Sequence, residues 1–237
     1  PSNGKLYSKD SPLSAGKIRI KYMTAKEEDI LTSQNLIKKG LVIDKLLNSL
    51  ILTEGVNSDD LIVGDKNAVM VAARILAYGK EYECEVINPE TGEKQSHIFD
   101  LTECPFKKCP DNITKNEFEI KLSVSKSVVK FKILTGKEET EVSKELEAIT
   151  KKVRPSVVPE LTSRLKKSVI EVDGETNQLK INKFVDNMLA RDSMELRKKI
   201  NDVSPDIEMK QEIEVEGDTV EVVIPMTVNF FWPEAGR

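Results

Sequence analysis

His97 is the only histidine in the chain, and a single imidazole restricts the acid–base chemistry available near neutral pH. General acid–base catalysis near neutral pH most often uses a histidine, and a Ser-His-Asp triad requires one held by suitable partners. His97 lies in a polar–apolar alternation, between Ser96 and Ile98, that is typical of a surface strand. We therefore predict a surface strand histidine, no catalytic residues, and a protein that is not an enzyme.

Three cysteines together with His97 nominally supply four metal ligands: Cys84, Cys104 and Cys109 complete the set. Zinc sites usually place two cysteines two to four residues apart on a tight turn. The loop of residues 102–115 that holds Cys104 and Cys109 instead contains two prolines, and Cys84 falls on the apolar face of a predicted strand. Simple burial of the thiols is the favoured interpretation, and we predict no metal and no cofactor. Whether these four residues bind a metal is left open at this stage.

Phosphate-binding loops and nucleic-acid surfaces are not indicated by the sequence. Neither G-x-x-x-x-G-K-[ST] nor G-x-G-x-x-G occurs. The 36 basic and 40 acidic residues are interspersed, giving a net charge of −4 without a basic stripe. No apolar run approaches the ~20 residues of a membrane span. We therefore predict neither nucleic acid nor membrane as a partner. Three cysteines are an odd number and too few for a disulfide framework, so we expect reduced thiols in a cytoplasmic setting.

The C-terminal run Phe230-Phe231-Trp232-Pro233 concentrates aromatic side chains in a chain that is only 5% aromatic. Buried aromatics commonly anchor protein–protein contacts. The run is predicted to end a strand, so one face would pack on the core and the other on a partner. The alternative is that all of its aromatic side chains close the core. We predict partner contacts through this run and through Leu6 and Tyr7.

Hydrophobic periodicity predicts an α+β fold in which a helical N-terminal half carries antiparallel β-hairpins. A helix followed by a hairpin occurs twice, and duplication of that unit is one interpretation. Residues 1–16 are expected to form an extended arm, 17–153 a helix and double-hairpin domain, and 154–237 a helix-hairpin domain with an aromatic C-terminal strand. The predicted strands are 17–23, 82–87, 94–101, 117–124, 127–134, 208–215 and 219–225, and the predicted helices include 42–52, 65–78, 138–153 and 181–200.

Several segments together resemble a known family. They are Pro1–Tyr7, Ile20–Leu31, Ile43–Leu47, Gly64–Asn67, Arg74–Gly79 and Ile224–Pro233. In these segments the chain resembles the baseplate hub subunits and hub assembly proteins of T-even-like contractile-tailed bacteriophages (myoviruses). The likeness covers both ends and most of the first hundred residues, and it is weak from about Cys104 to Lys180.

This resemblance implies a virion structural protein of the tail baseplate hub that acts through protein–protein contacts without catalysis. Its partners would be other hub or tail proteins, namely the tail tube, the tape measure or central hub subunits. The alternative is a transient cytoplasmic chaperone of tail assembly that is absent from the mature virion. Relatives often carry a Cys-x-x-Cys zinc knuckle at each hairpin turn. The corresponding turns here, 88–91 and 216–219, contain no cysteine, so zinc is not carried over.

Overall fold

The computed structural model describes residues 1–87, 92, 94–153, 157–215, 218–226 and 228–231. The α+β architecture predicted from the sequence is confirmed. The α-helices are α1 (Ala25–Thr32), α2 (Gln34–Lys38), α3 (Val42–Leu50), α4 (Val63–Tyr78), α5 (Gly136–Val153), α6 (Glu160–Ser168), α7 (Gln178–Asp186), α8 (Ala190–Val203) and α9 (Val228–Phe231). Short 3₁₀ helices cover Pro12–Ala15, Ser58–Asp60 and Leu101–Glu103.

The strands form small antiparallel sheets rather than one large sheet. They are β1 (Glu81–Ile87), β2 (Lys94–Asp100), β3 (Phe106–Lys107), β4 (Phe118–Lys121), β5 (Val128–Phe131), β6 (Val169–Val172), β7 (Asp206–Ile207), β8 (Lys210–Val215) and β9 (Asp218–Val223). β1 pairs with β2, β3 with β7, and β8 with β9, while β4, β5 and β6 form a three-stranded sheet. The three predicted hairpins are therefore present. Their turns at 88–91 and 216–217 lie outside the described residues.

Two hydrophobic clusters hold these elements together. The first cluster combines α1, α3 and α4 with the β1–β2 and β8–β9 hairpins and α9. The second cluster combines the β4–β5–β6 sheet with α6, α7 and α8. Both clusters draw residues from either side of the expected boundary at 153/154. The three-part division of the chain stays a prediction.

The N-terminal segment, residues 1–16, differs from the extended arm that we expected. It forms consecutive turns, and Ser2, Leu6 and Leu13 are buried. Gly4 and Gly16 have positive φ angles of 77° and 66°. A Cβ atom on Gly4 would lie 2.4 Å from the carbonyl oxygen of Ser14, so the two ends of this segment touch through backbone. Close contacts of this kind order a segment that has few apolar side chains of its own.

Three further expectations about secondary structure are wrong. The predicted strand 17–23 is extended but makes a single bridge, Ile20 to Ile51. The predicted helix 181–200 is divided into α7 and α8, because Leu189 is extended (φ −63°, ψ 142°). The predicted C-terminal strand is instead a short helix, α9.

Candidate protein-binding surface

Phe230 and Phe231, in α9, are fully buried in the first cluster. Their rings meet edge to face, with centroids 5.2 Å apart. The ring of Phe230 also meets Tyr82 edge to face at 5.0 Å, a favourable arrangement of aromatic quadrupoles. The hydroxyl of Tyr82 donates to the carbonyl oxygen of Pro225, 3.2 Å away. The pair therefore attaches the end of the chain to the β1–β2 hairpin.

A buried arginine lies beside this aromatic group. Arg74 is 3% exposed, and its Nη atoms donate to the carbonyl oxygens of Gly79 (3.2 Å) and Glu81 (3.3 Å). Its guanidinium also lies 5.0 Å from the ring centroid of Tyr78 and 5.7 Å from that of Tyr82. Burial lowers the pKa of Arg74 and raises the pKa values of Tyr78 and Tyr82 to about 12. The guanidinium of Arg74 therefore holds the C-terminal end of α4 beside Tyr78 and Tyr82.

Tyr7 and Ser2 bind the N-terminal segment to the first turn of α4 through Asp65. The backbone N–H of Ser2 donates to Asp65 Oδ1 (2.9 Å), and the phenol of Tyr7 donates to Asp65 Oδ2 (2.8 Å). The backbone N–H of Ile62 donates to the oxygen of Tyr7 (3.0 Å). Burial and the charge of Asp65 raise the pKa of Tyr7 well above its usual value. The half-buried Tyr7 therefore acts as a neutral bridge between these segments.

The structure places the predicted partner contacts in separate regions. Leu6 is 5% exposed and belongs to the second cluster, whereas Phe230 and Phe231 belong to the first. Leu6, Phe230 and Phe231 therefore present no open surface in the isolated chain. Trp232 and Pro233 lie outside the described residues. A partner role for the six predicted residues stays a prediction. Asp65, which organises the N-terminal segment, could not be singled out among 40 acidic residues.

The cysteines and His97 do not converge on one site. Cys84 lies opposite His97 in the β1–β2 register, but Cys104 is buried in the first cluster and Cys109 in the second. Burial raises the pKa of each thiol, that of Cys84 to about 11, which disfavours the thiolate form that metals require. Within the described part of the chain, no group of three or more potential metal ligands is present.

Several open grooves lie beside α4, and two of them have largely apolar walls. A cavity of about 550 Å³ lies where α4, α5, α6 and α8 meet, with Val63 and Leu161 at its apolar wall and arginine and glutamate side chains at its rim. A second cavity of about 480 Å³ lies between α4 and the extended residues 17–20. The outer faces of the β1–β2 and β8–β9 hairpins carry exposed glutamates instead.

A comparison with protein families shows the family to which this α+β chain belongs. The family described as T4 bacteriophage base plate protein matches residues 3–232, which is 230 of the 237 residues. The chain belongs to this baseplate family. No curated protein and no solved structure gives a significant match.

Membership in the baseplate family indicates a structural role in the tail baseplate of a T4-like phage. It also implies contacts with other baseplate or tail proteins. Among the described residues, no helix is long and apolar enough to cross a membrane.

Proposed function

We propose that this baseplate protein is a structural subunit of the hub of a contractile tail, and that it acts through protein–protein contacts without catalysis. Its partners on this proposal are the tail tube, the tape measure or central hub subunits. It would reside in the virion tail and pass through the host cytoplasm during assembly. The family match over nearly the whole chain is the observation that carries the proposal.

The arrangement of candidate chemical groups supports a non-catalytic role. His97 is half-buried and packs against Phe99, with ring centroids 4.7 Å apart, and the cysteine thiols are separated and protonated. The buried carboxylates Glu27 and Asp192 are engaged in hydrogen bonds that organise backbone and side chains. These groups stabilise the fold, and none is arranged as a nucleophile beside a base.

We further propose that Trp232 and Pro233 make the hub contact and that Phe230 and Phe231 support it from within the core. Phe230 and Phe231 immediately precede them and are fully covered by the chain itself. A rigid attachment of this kind limits the entropy lost when the following residues bind a partner. Leu6 and Tyr7 would contribute a second contact through the N-terminal segment.

Paired substitutions test the proposed anchor. Trp232→Ala should strongly reduce the amount of this protein in purified baseplates while leaving its thermal unfolding nearly unchanged. Phe230→Ala should instead lower the free energy of unfolding by about 3–5 kcal/mol, as expected for a fully buried aromatic side chain. Baseplate content would be measured by quantitative mass spectrometry, and stability by calorimetry of the free protein. Loss of stability in Trp232→Ala would show that this residue belongs to the core as well.

A transient assembly chaperone would use similar surfaces but would leave before maturation. The measurement that separates the two roles is the stoichiometry of this chain in purified, mature virions. A fixed integer ratio to known tail subunits supports the structural role. Absence from virions, together with presence in assembly intermediates, would overturn it in favour of the chaperone.

A further inference from the structure

The extended residues 18–22 have one hydrogen-bonding edge that is not used within the described chain. Lys21 donates its backbone N–H to the carbonyl oxygen of Leu50 (2.9 Å), and Arg19 accepts from the N–H of Leu52 (2.8 Å). In extended backbone, successive residues direct their N–H and C=O groups to opposite edges. The backbone groups of Ile18, Ile20 and Tyr22 therefore point away from residues 50–52. No other described backbone group bonds to them.

An apolar groove lies beside this edge. Its volume is about 480 Å³, and it is lined by Ile18 and Ile20, by the Ala72, Ile75 and Leu76 face of α4, and by part of the N-terminal segment. Leu76 is 39% exposed, and Tyr22, at the end of the edge, is 68% exposed. In a pleated strand every second side chain points to the same face. A strand added at this edge would therefore direct half of its side chains into the groove. The groove therefore has the shape and polarity to take alternate apolar side chains.

Positively charged side chains also follow this edge. Lys17 and Arg19 alternate with the isoleucines and are exposed, and neither forms an ion pair within the described part of the chain. Lys21, the third cation of the alternation, is held by the buried carboxylate of Glu27 at 2.7 Å. Opposite charges directly across two strands stabilise their pairing. An added strand would therefore gain from acidic side chains on its outer face.

We propose that Ile18–Tyr22 and the adjoining groove form a strand-addition site for an extended segment of another polypeptide. That segment would alternate apolar and acidic residues. Its backbone would pair with Ile18, Ile20 and Tyr22, and its apolar side chains would cover α4. Its acidic side chains would lie beside Lys17 and Arg19. Main-chain hydrogen bonds supply much of the affinity in this mode of recognition, and the alternating pockets supply specificity.

A second copy of this chain fits the site less well than a different protein does. The acidic–apolar alternations of the chain, in β1, β4, β6 and β8, are already paired with neighbouring strands. Their inward residues are buried in the two clusters, including Tyr82 and Ile213 in the first and Phe118 and Val172 in the second. Those side chains cannot fill the groove of another copy without unfolding the hairpins. The occupant is therefore an acidic–apolar segment from another polypeptide.

A direct test uses a fluorescent octapeptide of alternating glutamate and valine, titrated into the free protein at low salt and followed by anisotropy. The same peptide with lysine in place of glutamate is the charge control. We expect saturable binding of the acidic peptide and at least tenfold weaker binding of the basic peptide. No saturable binding of the acidic peptide, or equal binding of both peptides, would overturn the proposal.

Variants separate the backbone edge from the groove and the charges. Tyr22→Pro removes an outward N–H and should weaken binding at least tenfold, whereas Tyr22→Ala keeps that N–H and should weaken it less. Ala72→Glu places a charged side chain in the groove and should abolish binding. Arg19→Glu should weaken binding at least threefold, compared with the exposed control Lys198→Glu on α8. Circular dichroism of each variant would confirm that the protein is folded.

Sedimentation of the free protein tests whether a second copy of this chain occupies the site. A monomer that binds the peptide supports a site for another polypeptide. A dimer that dissociates in Ala72→Glu would overturn this inference in favour of a second copy. None of these outcomes depends on incorporation into baseplates, so the hub proposal and the strand-addition proposal can fail independently.

Discussion

Replacement of Glu27 tests two contributions of one carboxylate. The first is the cap at the start of α1, and the second is the set of tertiary contacts with Lys21 and α3. Glu27 lies in the first turn of α1 and accepts the backbone N–H of Thr24 at 3.0 Å and its hydroxyl at 2.7 Å. It also accepts from Ser49 of α3 at 2.6 Å and from Lys21 at 2.7 Å. Glu27→Gln keeps the size of the side chain but turns one acceptor atom into a donor that faces other donors.

The expected cost follows from these contacts. A hydrogen bond to a charged group contributes about 1.5–3 kcal/mol, and a buried donor left without an acceptor costs about 1–3 kcal/mol. Lys21 is 36% exposed, so solvent can replace part of what this ion pair contributes. We therefore expect Glu27→Gln to lower the free energy of unfolding by about 2–3 kcal/mol near pH 7. For a chain of this size, the melting temperature should fall by roughly 4–12 °C.

The pH dependence provides a second, independent measurement. The hydrogen bonds from Lys21, Ser49 and Thr24 hold the pKa of Glu27 well below its usual range. A lowered folded-state pKa contributes stability above the unfolded pKa of about 4.3, and this contribution is lost as the pH falls below that value. The difference between wild type and Glu27→Gln should therefore shrink by about 1.4 kcal/mol per pH unit below about 4.3.

Urea unfolding monitored by circular dichroism, at about pH 7 and again near pH 3.3, measures both effects. Glu54→Gln, at an exposed position in the loop after α3, is the matched control and should change stability by less than about 0.5 kcal/mol. If Glu27→Gln lowers the free energy of unfolding by the same amount at both pH values, the idea that these hydrogen bonds stabilise an ionised Glu27 is refuted. A cost no larger than that of the control would refute its structural importance.

Three further substitutions test how distant segments are joined. Gly64→Ala should cost more than about 2 kcal/mol in urea unfolding, because the new Cβ would lie 1.8 Å from the carbonyl oxygen of Pro205. Asp192→Asn should cost about 2 kcal/mol by the same assay, since its buried carboxylate accepts two backbone N–H groups from the β4–β5 turn at 2.9 Å each. Asp65→Ala should release the N-terminal segment and speed tryptic cleavage after Lys5, because the hydrogen bonds to Ser2 and Tyr7 are lost.

Matched positions supply the controls for these three substitutions. Gly136→Ala should cost less than Gly64→Ala, because its nearest neighbour would be 3.1 Å from the new Cβ. Asp202→Asn and Asp10→Ala change exposed carboxylates and should leave stability and tryptic cleavage nearly unchanged. Equal effects at a test position and its control would contradict the corresponding contact.

The sequence by itself determined the elements whose signals are local. The Thr24-x-x-Glu27 spacing is the local signal of a helix start, and Thr24 donates its backbone N–H and its hydroxyl to the Glu27 carboxylate. The spacing of Leu46, Leu47 and Leu50 predicted α3, and all three side chains are fully buried. Alternation predicted the hairpins β1–β2, β4–β5 and β8–β9. These patterns succeed because residues that are close in the chain create them.

Tertiary structure decided the breaks and the ends of the chain. The apolar pattern of residues 181–200 suits one helix, but a separate α8 places Asp192 where it can bind the β4–β5 turn. Strand β6 was missed because its partner β5 lies about 40 residues earlier in the chain. The short β3–β7 pair joins residues about 100 apart, and no local pattern encodes such a pairing.

For the candidate surface, too, the sequence indicated some features and only the folded chain showed others. The sequence showed that Phe230 and Phe231 are unusual, but only the folded chain provides the cavity that Tyr82 and α4 close around them. The alternation of residues 17–22 was visible in the sequence. Its unused edge depends on which side residues 50–52 occupy, and α4 supplies the far wall of the groove. Periodicity reports which side chains share a face, whereas packing decides which face remains open.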